Sequence, residues 1–168
     1  EVYNFSKITF DDCSIRNINI DSGKYLIAIY NASDVKMQNV SVAKVIGMVM
    51  SIKNGNSIMI RNANIITNKP TNPIAYEMKY VAAITITECK VILITHSQFQ
   101  DITFSVFLLQ QIKELNIHSS TYINCGGSQT GAINLQIMLS KTYKRFRMTI
   151  KRTEFISCFT SFSGGGLM

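Results

Sequence analysis

Few residues in this chain have the type and spacing to do chemistry. Asp11-Asp12 is the one pair of adjacent carboxylates, the minimum for acid–base work or for holding calcium. His96 and His118 have no carboxylate or cysteine at ligand spacing, so no metal or other cofactor is expected. Cys13, Cys89, Cys125 and Cys158 include no CxxC pair, which excludes the usual zinc and dithiol motifs. Asn4-Phe5-Ser6, Asn31-Ala32-Ser33 and Asn39-Val40-Ser41 are N-glycosylation sequons. Lys141, Lys144, Arg145, Arg147, Lys151 and Arg152 fall within twelve residues, beside Tyr143 and Phe146, and dominate a net charge of +7. Such a patch suits a polyanion such as an acidic glycan or lipid headgroup. No nucleic-acid-binding motif accompanies it, so nucleic acid is not an expected partner.

What positions these residues is a repeat. Ile8, Phe10, Cys13, Ile15 and Ile18 set the pattern. A step of two is strand alternation, whereas a step of three requires a bend. The unit therefore reads strand, corner, strand. It restarts at Val35, Ile58, Ile92, Leu115 and Met148, giving intervals of 27, 23, 34, 23 and 33 residues. The base period is about 23, with loops inserted in the longer intervals. A third strand precedes four of the copies at one fixed offset, through Ile27 and Ile29, Met50 and Ile52, Ile84 and Ile86, and Phe107 and Leu109. Three short strands per turn predict a solenoid that buries its core by stacking coils.

The phrases Ser97-Gln98-Phe99-Gln100-Asp101, Ser120-Thr121-Tyr122-Ile123-Asn124 and Thr153-Glu154-Phe155-Ile156-Ser157 carry a resemblance. The chain resembles the right-handed parallel β-helix, the pectin-lyase-like fold, in the degenerate form seen in large extracellular repeat proteins. That resemblance implies an all-β solenoid of six to seven coils and an extracellular or cell-surface location. Right-handedness follows from it and from the general crossover preference.

Stacking the coils assigns the chemistry-bearing residues to columns. The outward columns read Thr9, Lys36, Met59, Leu93, Asn116, Thr149 and Asp11, Gln38, Arg61, Thr95, His118, Lys151. Carbohydrate-cleaving β-helices gather carboxylates from neighbouring coils; these columns do not, and no enzyme activity is expected. The corner column Asp12, Asn39, Asn62, His96, Ser119, Arg152 predicts a partial asparagine ladder. Cys125 and Cys158 share one repeat position. They are read either as a disulfide or as stacked buried thiols. Cys13 is expected to be a buried free thiol. Asn54-Gly55 reads as a tight turn.

The composition, 46% hydrophobic and 16% charged with no Trp and two Pro, suits continuous inner ladders. No run of about 18 apolar residues predicts a membrane span. Residues 1–168 read as a single β-helix segment of a longer chain, with Gly164-Gly165-Gly166-Leu167-Met168 opening a further strand. The expected role is structural: a scaffold, adhesive stalk or filament subunit. Self-association or neighbouring coils would supply its partners, and the loops Asn68–Tyr80 and Ser140–Arg147 its contact surfaces. The alternative is a carbohydrate-binding or carbohydrate-cleaving module.

Overall fold

The computed structural model describes residues 1–20, 24–67, 82–127, 131–136 and 145–160. These hold strands and no helix: β1 (Val2–Tyr3), β2 (Lys7–Asp11), β3 (Ser14–Asn19), β4 (Tyr25–Tyr30), β5 (Asp34–Gln38), β6 (Ser41–Ile46), β7 (Met48–Arg61), β8 (Asn64–Thr67), β9 (Ala82–Thr95), β10 (Gln98–Gln100), β11 (Ser105–His118), β12 (Thr121–Ile123), β13 (Ile133–Gln136), β14 (Arg147–Lys151) and β15 (Glu154–Ile156). Every pairing is parallel and joins one coil to the next. The chain is an all-β parallel β-helix solenoid.

Three faces wind along it. One carries β2, β5, the C-terminal halves of β7, β9 and β11, and β14. The second runs β3-β6-β8-β10-β12-β15. The third carries β1, β4, the N-terminal halves of β7, β9 and β11, and β13.

The inner ladders follow the sequence periodicity. Ile8, Val35, Ile58, Ile92, Leu115 and Met148 are successive register partners. So are Ile15, Val42, Ile65, Phe99, Tyr122 and Phe155. Residues of the middle coils are wholly buried, whereas Ile8, Ile15 and Phe155 at the two ends are half-buried. Apolar burial at about 25 cal/mol per Å² is thus concentrated in coils two to five.

Three expectations need correction. Asn54-Gly55 is not a tight turn, because β7 passes through it. Asn54 alone takes a left-handed conformation, at φ 60, and one such residue bends the strand from one face to the next without breaking the parallel ladder. Glu88 and Gln111 bend β9 and β11 in the same way. The 23-residue interval from Val35 to Ile58 would place Asn68 beside Val45, but the register shifts in coil three and Thr67 lies there. Cys13 is only half-buried, because the first coil is covered on one side alone. The loop Asn68–Tyr80, residues 128–130 and the stretch from Gly164 expected to open a further strand lie outside the described residues.

Candidate functional site

The corner between the first two faces is built from a residue type and a hydrogen bond. Asp12, Asn39, Asn62, His96, Ser119 and Arg152 all lie at φ between 49 and 52. Asn and Asp tolerate this region best. The Asn39 amide donates to Asp12 Oδ1 at 2.9 Å, and the Asn62 amide to Asn39 Oδ1 at 3.1 Å. That is the expected asparagine ladder, and it ends where His96 replaces asparagine.

The next residue of each corner also has a task. Ser97 donates to the Thr95 carbonyl at 2.9 Å and accepts the Ala63 N–H at 3.2 Å. Ser120 donates to the His118 carbonyl at 3.0 Å and accepts the Ser97 N–H at 3.3 Å. Small hydroxyl residues recur there because they satisfy backbone groups that the bend leaves unpaired.

Two further left-handed columns escaped the sequence reading. Asn4, Asn31 and Asn54 form a second ladder, with amide-to-oxygen distances of 3.0 and 2.8 Å. Their spacing of 27 and 23 residues equals the first two repeat intervals, which was the available signal. Asn17, Lys44, Asp101, Asn124 and Ser157 form the third column, and Asn124 donates to Asp101 Oδ1 at 3.0 Å.

Along the first corner an open groove of about 410 Å³ spans coils three to five. Asn62, Asn64, His96, Gln98, Ser119 and Thr121 line it, with no carboxylate, lysine or arginine among them. The side chains of Asn64, His96, Ser119 and Thr121 make no hydrogen bond among the described residues. Asn64, Gln98 and Thr121 are register partners on neighbouring strands, so the groove offers a row of polar groups one strand spacing apart, about 4.8 Å.

Other candidates are placed as follows. Asp11 pairs in register with Gln38, and Asp12 accepts the Asn39 amide; no second carboxylate joins them, and among the described residues no cluster of three His, Cys, Asp or Glu is positioned to hold a metal. His118 lies beside Thr95 and Lys151, while His96 sits on the corner, so the two imidazoles occupy adjacent columns. The sequon residues Asn31 and Asn39 are exposed, but each donates its amide to a ladder neighbour. Asn4, also exposed, accepts in its ladder through Oδ1.

Of the basic cluster, Lys141 and Lys144 lie outside the described residues. Arg145, Arg147, Lys151 and Arg152 are exposed. Arg147 is 3.6 Å from Glu114, its register partner, which partly neutralises the patch. Lys151 follows on the same strand, and Arg152 occupies the corner.

Cys125 and Cys158 are free thiols at one repeat position of neighbouring coils; the Cys125 sulfur lies 3.3 and 3.2 Å from the Phe99 and Ile123 carbonyls, and the Cys158 sulfur 3.4 Å from the Tyr122 carbonyl. Interaction with Cys125 holds the Cys158 thiol below its ordinary range, at about 7, and interaction with Cys158 together with burial pushes Cys125 up.

Comparison with family models, with curated proteins and with solved structures finds no match to this chain. Among the described residues no helix is long and apolar enough to cross a membrane.

Proposed function

We propose that the chain is a non-catalytic structural module of an extracellular or cell-surface protein, built on a pectin-lyase-like coil, which serves as a rigid scaffold, stalk or filament subunit. The observation carrying this reading is that packing accounts for the pattern: six in-register copies of strand, corner and strand, filled by aliphatic and aromatic ladders. A further coil stacked on the first, from a longer chain or a second copy, would cover Tyr3 and Phe5, which are 51% and 52% exposed. It would also complete the burial of Ile8 and Ile15. Parallel edges of this kind pair readily, and a head-to-tail contact that does not close extends into a filament. In a secreted protein Asn4, Asn31 and Asn39 would be the glycan acceptors. Sedimentation velocity on the purified chain tests the stacking version. Concentration-dependent association is expected, and Tyr3→Lys with Phe5→Lys weakens it at least tenfold. A wild-type chain that stays monomeric at all concentrations removes self-assembly and leaves only the longer-chain version.

A second reading is favoured by the polar groove at the corner: a module that binds glycans, with uncharged hydrogen-bonding groups in a row. The exposed Arg145, Lys151 and Arg152 would select acidic members. A glycan array, read with a lyase assay, separates the two readings; retention lost in Asn64→Ala and Thr121→Ala supports the groove.

A further inference from the structure

We propose that Cys158 and Cys125 form a peroxide-sensitive thiol–disulfide couple, with Cys158 as the attacking sulfur and Cys125 as the resolving one. The proposal is independent of whether the module is a scaffold or binds glycans.

Geometry carries it. Tyr122 and Ile123 are register partners of Phe155 and Ile156. The ladder continues past them, with the Asn124 N–H on the Ile156 carbonyl at 2.9 Å and the Phe159 N–H on the Cys125 carbonyl at 3.0 Å. Cys125 and Cys158 are therefore held at one rung of adjacent coils. Adjacent rungs lie about 4.8 Å apart, within the roughly 4.4–6.8 Å span of Cα atoms that a disulfide accepts. Gly126 keeps the coils close: a Cβ there would lie 1.9 Å from the Phe159 carbonyl oxygen.

The two sulfurs are not equivalent. Cys125 is wholly buried and lies 3.3 Å from the Phe99 carbonyl. Cys158 is half-exposed, so an oxidant reaches it first. The neighbouring Cys125 favours a thiolate at Cys158, and the thiolate is the nucleophile. The buried Tyr122 hydroxyl lies near both thiols and is pushed up by its burial and then by them. The remaining cysteines lack this arrangement. Cys13 is stacked against Val40 at its repeat position, and Cys89 is buried with its thiol pushed up to about 12.

The chemistry balances with a peroxide as oxidant. The Cys158 thiolate attacks one oxygen of hydrogen peroxide, the O–O bond breaks and hydroxide leaves, giving a sulfenic acid. Cys125 then attacks the Cys158 sulfur, the S–O bond breaks, and the Cys125 proton leaves with the oxygen as water. Two thiols lose two electrons, and one peroxide becomes two waters. The product cross-links coil five to coil six.

The test is a peptide map of the reduced full chain after limiting hydrogen peroxide, digested without reductant. A linked Cys125–Cys158 peptide, lighter by two hydrogens, is expected before Cys13 or Cys89 changes. Cys125→Ser is expected to accumulate a dimedone adduct at Cys158, and Cys158→Ser to leave Cys125 a thiol at the same dose. Should the serine variants not fold, iodoacetamide labelling of the wild type decides, with Cys158 expected to react at least tenfold faster than the other three. Oxidation at Cys13 or Cys89 first, or Cys158 labelling no faster than Cys13, overturns the proposal.

Discussion

Tyr122 stacks on Phe155 with ring centroids 4.8 Å apart and planes 12° from parallel, yet its wholly buried hydroxyl has no hydrogen-bond partner among the described residues. Phe99 stacks on its other face at 5.0 Å. The ring is therefore favoured by stacking and burial, while the hydroxyl has lost water and gained nothing. Tyr122→Phe is expected to be neutral or stabilising by about 1 kcal/mol in urea denaturation. Tyr122→Ala, which opens a cavity in the stack, is expected to cost about 3–5 kcal/mol. A clear loss of stability in the phenylalanine variant would show that the hydroxyl has a partner after all.

Gly47 sits between β6 and β7 at φ +124, where a Cβ would lie 2.8 Å from the Ile20 Cβ. Both the backbone angle and the neighbouring coil exclude a side chain there. Gly47→Ala should lower stability by roughly 2–4 kcal/mol, combining strain at that φ with displacement of Ile20. An unchanged thermal midpoint would count against the close approach of coils one and two.

Asn39 holds the middle of the corner ladder at φ 52, donating to Asp12 and accepting from Asn62. Asn39→Ala removes both hydrogen bonds and places a residue poorly suited to left-handed backbone, so about 1–2 kcal/mol is expected. Asn39→Gly removes the same hydrogen bonds but relieves the backbone, and is expected to cost less. If glycine proves as costly as alanine in chemical denaturation, the lost ladder hydrogen bonds rather than the backbone angle dominate that corner.

The fold was legible because the inner ladders depend on spacing alone. Ile8, Val35 and Ile58 are recognisable as equivalent before any coordinate exists, since a one-residue slip would turn each outward. The second and third corners were harder. Glu88, Gln111 and Lys44 occupy left-handed positions that their residue types do not advertise, so only Asn4, Asn31 and Asn54 at the second corner and Asn17, Asp101 and Asn124 at the third carried a signal. The slip at Thr67 was hidden because the 23-residue interval points from Val45 to Asn68, and only the strand register shows Thr67 in its place. The groove was not legible at all. It depends on side chains from three coils lying along one corner, and none of Asn64, Gln98 or Thr121 is distinctive alone.

The buried thiols make stability fall in alkali. Cys89 is fully buried, and burial pushes its thiol from 9.0 to about 12. A folded-state value above the unfolded one means the contribution is complete below about 9. It is lost as pH rises towards 12, because the unfolded chain releases a proton that the folded chain keeps. Tyr122, raised well above 10.0 by its own burial, acts in the same direction at higher pH. The expected decline from Cys89 alone is about 1.4 kcal/mol per pH unit within that window. Urea midpoints at about pH 8, 9.5 and 11 measure it. Cys89→Ala should be less stable than the wild type at about pH 8, through lost packing, but should show a shallower fall above 9. Parallel declines in the two proteins would mean that Cys89 ionises in the folded state, and so that its side chain is reached by water.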